Sequence, residues 1–349
     1  MLFQHLDFDG HEQVIFCNDP DVGLKGIIAL HSTALGPAAG GCRMHPYETE
    51  QEALTDVLRL SKGMTYKNAV AGLPLGGGKC VIIADPNTSN KQGLLRAFAK
   101  HVQSLNGRYW TAIDVGVGPE DADIMAENCD YVFARASQYE AGFNPSSFTA
   151  YGGFIGIRAS IEASTGKTDL SGIHVTVQGL GATGYALSKH LHEAGAKLTV
   201  SDVEETAVGR VVTEFGAMAV DPNHIHRVKS DVFAPCALGA GLNDDTIPEI
   251  EANIICGLAN NQLSETRHGK MLADRHITYV PDYVVNAGGM MGASTVIFSD
   301  PSREKSLKQI ESLHDTICAI INRAKNEGKT TAEIADSIAR ERISTALTL

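Results

Sequence analysis

One stretch, residues 173–202 (IHVTVQGLGATGYALSKHLHEAGAKLTVSD), constrains this chain more than any other. It opens on a strand-prone run holding the β-branched Val175 and Val177. Gly179, Leu180, Gly181, Ala182, Thr183 and Gly184 follow with the spacing G-x-G-x-x-G. An amphipathic run comes next, with Ala186, Leu187, His190, Leu191 and Ala194 at helical spacing, and it stops at Gly195 as a helix C-cap does. A second apolar run over 197–201 ends in Asp202. Each part has a mechanical task. The first glycine allows a tight turn, the second lets the backbone approach a pyrophosphate, and the third lets helix and strand pack closely. The helix N-terminus, from Ala182 to Tyr185, offers its N–H groups to phosphates. An acid about twenty residues on accepts the hydroxyl protons of an adenosine ribose. Glycine turns are common, so a plain βαβ turn is the alternative; the whole unit in register points to a dinucleotide site. Val203, Glu204 and Glu205 follow Asp202, with no arginine nearby to pair a 2′-phosphate, which favours NAD over NADP.

Two domains are expected for 349 residues, each large enough to bury a core. A formal charge of −12 argues against a nucleic-acid or anionic-membrane surface. Seven cysteines, odd in number and without a C-x-x-C pair, read as free thiols in a reducing cytoplasm. The opening residues MLFQHLDFDGHE have no basic region followed by an apolar core, so no signal peptide is expected. No apolar run is long enough to span a membrane. The histidines show no spacing that would make a metal site.

Along the chain, residues 12–31 read as two strands around a turn at 18–23, and GPAAGGCRM (36–44) as a glycine-rich loop ending in an arginine. A helix is expected over 48–62, then a loop carrying Lys67 and the three glycines before Lys79, then a strand over 80–84. Further expectations are a helix over 92–105, a strand over 109–113 ending at Asp114, and a short helix over 119–128. A polar linker at 137–145 precedes a helix to about 165. After the dinucleotide unit, strand candidates at 217–220, 231–235, 254–257 and 277–280 alternate with helices, the pattern of a parallel sheet covered on both faces. One long helix (303–327) and another (331–345) close the chain and are expected to pack back on the first domain.

Several residues invite chemistry on their own. Lys79 follows three glycines, but Leu73 and Cys80 break the Walker spacing. The glycines would instead let a substrate lie against the backbone beside a partly desolvated lysine, which sheds its proton more readily. An ordinary lysine at a strand mouth is the alternative. Lys67 suits a substrate carboxylate or is simply a solvated helix-end lysine. Asp114, at the carboxyl end of an apolar strand, is either a proton relay or a capping acid. Asn260, Asn261 and Asn286 sit in turns, where asparagine is common, or orient an amide or carboxylate.

Taken together, GPAAGGCRM, LSKGMTYKNAVAGLPLGGGK, NGRYWTAIDVG, NPSSFTAYG, VQGLGATG, DVFAPCALGA, ICGLANNQL and PDYVVNAGG resemble, in order and over nearly the whole chain, the family of glutamate, leucine, valine and phenylalanine dehydrogenases, nearest its leucine branch. The resemblance implies an α/β protein of two domains. Residues 1–140, with the C-terminal helices at about 328–349, would form a substrate-binding and oligomerisation domain, and residues 141–327 a doubly wound, Rossmann-type NAD-binding domain. It implies that Lys67 holds the substrate carboxylate, that Lys79 activates a water as base, and that Asp114 carries the proton to and from the amine. Thr149 would lie near the nicotinamide amide, with Ala237, Asn260 and Asn286 also meeting the cofactor and Asn261 the substrate. The implied reaction is reversible NAD-dependent oxidative deamination of an L-amino acid to a 2-oxo acid and ammonia, by a cytoplasmic homo-oligomer. Glutamate dehydrogenases carry a lysine where this chain has Ala39, so a side-chain carboxylate would find no partner here. Ala39, Gly40, Ala112, Met290 and Ala293 are expected to line the side-chain pocket. A branched-chain substrate is expected, and Trp110 keeps an aromatic one as the alternative.

Overall fold

The computed structural model describes residues 2–139, 144–237, 239–299 and 302–348. The domain boundary expected at residue 140 and part of the linker expected at 137–145 lie outside them. The chain divides into two compact units: Met1–Asn144 with Ala293–Pro301 and Ile338–Leu349, and Pro145–Gly292 with Ser302–Ser337.

The first unit is built on a five-stranded sheet in the order β1-β2-β4-β3-β5. β1 (Gln13–Asp19) and β2 (Leu24–Ser32) form the expected hairpin, and β2 pairs antiparallel with β4 (Gly76–Ile83). β3 (Ala38–His45) lies between β4 and β5 (Tyr109–Ile113), parallel to both. Alternation along the strands sorts the core into two layers. Ile27, Ala29 and Val81 pack against Ala53, Leu54, Val57 and Leu58 of α1 (Glu50–Val70). Ile28, Leu30, Cys80 and Ile82 face the other way, with α2 (Lys91–Gln103) and α3 (Pro119–Ala126) against them; α4 (Ala136–Tyr139) follows.

Two expectations fail here for one reason. Residues 38–41 (AAGG) and 76–79 (GGGK) are not loops but the starts of β3 and β4, and they are buried; Gly36 and Pro37 stay outside the strand, half-buried. Glycine is a poor strand former when a side chain is needed for packing, but here the neighbours occupy that space themselves. A Cβ on Gly77 would lie 2.1 Å from the Thr65 backbone nitrogen of α1, and one on Gly78 2.7 Å from the Tyr109 ring. α1 accordingly runs past its expected end at residue 62 to Val70, because Thr65, Asn68, Ala69 and Val70 are buried. Their burial outweighs the roughly 1 kcal/mol that Gly63 costs inside the helix.

The C-terminus of α1 is capped from far along the chain. Nη1 of Arg342 donates to the Ala69 and Val70 carbonyls at 2.7 and 2.6 Å, adding to the Gly72 N–H that already bonds the Ala69 carbonyl at 3.0 Å. Arg342→Ala should lower the stability of the protein by about 1.5–3 kcal/mol, the worth of hydrogen bonds to a charged group. Equilibrium denaturation compared with an exposed control such as Arg340→Ala would reveal it, and equal loss in both would remove the cap from the account.

The second unit begins with α5 (Pro145–Thr165) and then alternates β6 (His174–Gln178), α6 (Ala182–Glu193), β7 (Lys197–Ser201), α7 (Glu205–Phe215) and β8 (Met218–Ala219). The chain then returns to the other side of β6 with β9 (Ser230–Pro235), β10 (Ala252–Ile255), α8 (Arg267–Asp274) and β11 (Thr278–Tyr279). All six strands are parallel, in the order β11-β10-β9-β6-β7-β8. This is the doubly wound sheet expected, with its order reversing between β6 and β9. Short helices α9 (Asp282–Val285), α10 (Gly288–Ala293) and α11 (Thr295–Phe298) follow. The helix expected over 303–327 is interrupted at Ser312 into α12 (Arg303–Glu311) and α13 (Leu313–Glu327), and α14 (Thr331–Leu347) ends the fold. The first turns of α14 cluster with the second unit, whereas the sequence division assigned everything from about 328 to the first. The side chains explain the difference: Thr331 donates to the Tyr279 carbonyl, and Asp336 accepts from the Tyr283 hydroxyl at 2.7 Å.

Candidate active site

In the first unit the parallel register sets Ala39 beside Gly77 and Trp110, Gly41 beside Ala112, and Arg43 beside Val81. Residues paired in this way project from one face of a sheet, here the face that α1 covers. Lys79 precedes Val81 by two positions and Asp114 follows Ala112 by two, so both share it. The side chains of Lys79 and Asp114 come from strands on either side of β3 and meet above it: Lys79 Nζ lies 3.2 Å from Asp114 Oδ2. Gly41 on the intervening strand keeps that crossing clear, since a Cβ there would lie 3.0 Å from Asp114 Cβ.

The same Asp114 oxygen accepts from Arg43 Nε at 2.8 Å. Arg43 Nη1 in turn donates to Asp56 Oδ2 at 2.9 Å, and Tyr47 donates its hydroxyl to that oxygen at 2.5 Å. Burial would raise the Asp114 pKa, but the charges of Lys79 and Arg43 outweigh it and hold the carboxyl below its ordinary value. Burial and Asp56 push the Tyr47 phenol up, so it remains a donor. The Lys79 side chain is 7% exposed and that of Asp114 22%, so the pair is shielded yet reachable. A buried amine against an ionised carboxylate is an acid–base pair able to pass protons to a bound molecule. Arg43, Asp56 and Tyr47 were not singled out from sequence. Reading 38–45 as a strand would have placed Arg43 on the face of Ala39 and Gly41 by simple alternation.

Ala39 is fully buried and Ala112 nearly so, both on this face. Gly40 is buried in β3, and its carbonyl accepts from the Tyr109 hydroxyl at 2.8 Å. Lys67 is half-buried in the last turn of α1, not in a loop beyond the helix. Its neighbour Asn68 ties that turn to β4, donating to the Gly76 carbonyl at 2.6 Å.

In the second unit the glycines of the dinucleotide loop separate by what surrounds them. Gly179 has φ +93°, and a Cβ on it would lie 2.7 Å from the Ala237 nitrogen, where the strand order reverses. A Cβ on Gly184 would lie 1.9 Å from the Gly179 carbonyl, the close helix–strand approach. Gly181, which begins α6, has nothing within 4 Å, so open space adjoins the helix N-terminus. Asp202 accepts from the Leu180 nitrogen at 2.5 Å and, through its other oxygen, from Glu204 at 2.9 Å, locking the acid against the loop. Ala182 is exposed and Thr183 half-buried at the helix start. The Tyr185 side chain is engaged with α7 instead, donating to Glu214 at 2.5 Å beneath the Arg210 guanidinium.

Asn260 and Asn286 come together: Asn286 Nδ2 donates to Asn260 Oδ1 at 2.7 Å. The buried Asn286 Oδ1 has no partner among the described residues, a cost that a bound donor would relieve. Asn261 holds a left-handed turn at φ +52° and accepts from Ala240. Thr149 lies against Gly289, where a Cβ would sit 2.3 Å from its hydroxyl oxygen. On α10, Met290 is half-buried and Ala293 buried.

One grouping escaped the sequence reading. Asp244, Glu265 and His268 bring their ligand atoms within 4.8 Å of one another. Arg267 already fills the role of a cation there, donating to Asp244 at 2.7 Å and to Glu265 at 2.8 Å.

Residues 11–131 match the Glu/Leu/Phe/Val dehydrogenase dimerisation domain, and residues 200–348 match Glutamate/Leucine/Phenylalanine/Valine dehydrogenase. Leucine dehydrogenase of Bacillus cereus is 48% identical over 98% of this chain and 93% of its own length. The chain belongs to the Glu/Leu/Phe/Val dehydrogenase family. As a member it is an amino-acid dehydrogenase, an oxidoreductase. Another member, valine dehydrogenase of Streptomyces virginiae, is 46% identical, with 98% of this chain and 96% of that one aligned. The crystal structure of L-tryptophan dehydrogenase from Nostoc punctiforme superposes with a TM-score of 0.86 at 44% identity, over 97% of each chain. The family fold is thus the one described above. No helix among the described residues is long and apolar enough to cross a membrane.

Proposed function

We propose that this family member catalyses the NAD-dependent, reversible oxidative deamination of a branched-chain L-amino acid, leucine first and valine or isoleucine next. The observation that carries the reading is the shielded Lys79–Asp114 pair on a sheet face where position 39 is alanine. What the dinucleotide supplies when bound is a hydride acceptor for the substrate α-carbon. Its pyrophosphate would meet the open start of α6 at Gly181, its ribose Asp202, and its carboxamide the unsatisfied Oδ1 of Asn286. We assign these contacts to the second unit, and substrate binding and homo-oligomer contacts to the first.

Lys67 would hold the substrate carboxylate. Asp114 takes a proton from the substrate ammonium so that the nitrogen lone pair can assist loss of hydride. Lys79, as base, draws a proton from water as it adds to the resulting imino carbon. Asp114 then returns its proton to the nitrogen, the new hydroxyl gives up its proton to solvent water, and ammonia leaves as the carbonyl forms. Lys79 and Arg43 hold the Asp114 carboxyl below its ordinary value against the opposing effect of burial, so Asp114 readily gives back the proton it takes.

Support for a branched-chain side chain comes from Ala39, which offers no cation to a side-chain carboxylate, and from the leucine and valine dehydrogenases among the relatives. Trp110, beside Ala39 in the register and edge-on to Tyr131, favours an aromatic substrate as the second reading, as does the likeness to L-tryptophan dehydrogenase. Free cysteines support a reducing, cytoplasmic setting. NADH formation at alkaline pH should be fastest with L-leucine and L-valine, and L-glutamate should trail by about a hundredfold or more. A lead for L-phenylalanine or L-tryptophan would move the reading to aromatic substrates, and a lead for glutamate would remove Ala39 from the pocket.

A further inference from the structure

Asp114 is held asymmetrically. Both of its cationic partners, Lys79 Nζ and Arg43 Nε, contact Oδ2, at 3.2 and 2.8 Å. Oδ1 makes no hydrogen bond or ion pair among the described residues. Arg43 itself has no freedom to adapt, because Asp56 on α1 fixes the far side of its guanidinium and Tyr47 fixes Asp56. We propose that Arg43 is a positioning residue that occupies Oδ2 of Asp114, so that Oδ1 is the oxygen that exchanges the proton with the substrate amine. This rests on the roles given to Lys79 and Asp114 above.

The charge arrangement supports the geometry. Around the Asp114 carboxylate stand Lys79 from β4, Arg43 from β3 and, behind Arg43, Asp56 from α1 with the Tyr47 hydroxyl. The Cys42 thiol is also near, but Cys80 and burial push its ionisation up, and it stays neutral. Two cations against one carboxylate keep Asp114 ionised, ready to accept through Oδ1. The balance is simple. Oδ1 gains one proton as the substrate ammonium becomes an amine, and it loses the same proton to the nitrogen that leaves as ammonia. A planar fork suits the task better than a point charge, because Arg43 must satisfy Asp114 and Asp56 from two different nitrogens at once.

The test compares Arg43→Met and Arg43→Lys with the parent enzyme in oxidative deamination of L-leucine, across pH. Removing the positive charge in Arg43→Met makes a proton easier to hold on either Asp114 or Lys79. The acid limb of kcat/KM should therefore move to higher pH whichever of the two sets it. kcat should fall by about tenfold to a hundredfold, as expected for a misaligned proton-transfer group, while KM for leucine changes little. Arg43→Lys should restore the position of the acid limb but not kcat, since one ammonium cannot replace the fork. An unchanged limb and kcat in Arg43→Met overturn the proposal. Should Arg43→Met not fold, full kcat in Arg43→Lys overturns it alone. Asp114→Asn separates this from failure of the underlying reading: an active Asp114→Asn sinks the role of Asp114 itself, whereas a dead Asp114→Asn with unaffected Arg43 variants sinks only Arg43.

Discussion

Lys79→Ala is expected to lose oxidative deamination almost completely while NADH still binds. A positioned general base contributes about 10²–10⁴-fold to a rate, and nothing else described near Asp114 can take over. Arg43 keeps its proton, raised above its ordinary range by Asp114 and Asp56 against the opposing effect of burial. The substitution leaves β4 in place, because Ala29, the cross-strand partner of Lys79, and Val81, two residues on, are packed against α1 independently of the lysine side chain. The dinucleotide loop belongs to a separate compact unit, so fluorescence titration with NADH should give an affinity within a few-fold of the parent. Turnover of L-leucine within about tenfold of the parent would refute the base role.

Gly77→Ala should destabilise the first unit strongly. The added Cβ would meet backbone atoms of Thr65 at 2.1 and 2.4 Å, so relief requires α1 to move off β4. Overpacking a core of this kind costs about 1–3 kcal/mol and sometimes more, and here the upper end applies because the obstacle is main chain. The same shift would displace Lys67, carried by the last turn of α1, so activity should fall with stability. Gly63→Ala in the same helix is the control. Gly63 is exposed with nothing within 4 Å, and alanine there should stabilise by about 0.5–1 kcal/mol. Denaturation midpoints moving in opposite directions for the two variants would bear this out, and a stable, active Gly77→Ala would refute the close approach.

The parts of the fold that could be read early are those whose determinants are near one another in the chain. β6, the glycine loop, α6, β7 and Asp202 follow within one βαβ unit, and each element signals the next. Lys79 and Asp114 drew attention because each adjoins an apolar strand. Misread stretches share a different cause. The glycines at 40–41 and 76–78 look like loop residues by composition, yet they are strand residues whose missing side chains are replaced by Thr65, Tyr109 and neighbouring carbonyls. The helix expected to end at residue 62 runs on through Gly63 because residues on both sides of it are buried.

From the sequence alone came the doubly wound nucleotide unit, the family resemblance and the identity of the acid–base candidates, because local spacing and residue type determine them. Tertiary structure alone decided which side chains meet. Arg43 reaches Asp114 across 71 positions, and Asn286 reaches Asn260 across 26. The first depends on parallel register and on which face each strand presents, where a shift of one residue would turn every side chain to the opposite face; the second depends on how the turn after β10 meets the end of α9. That register is fixed by packing of the whole sheet against its helices, which no single segment encodes.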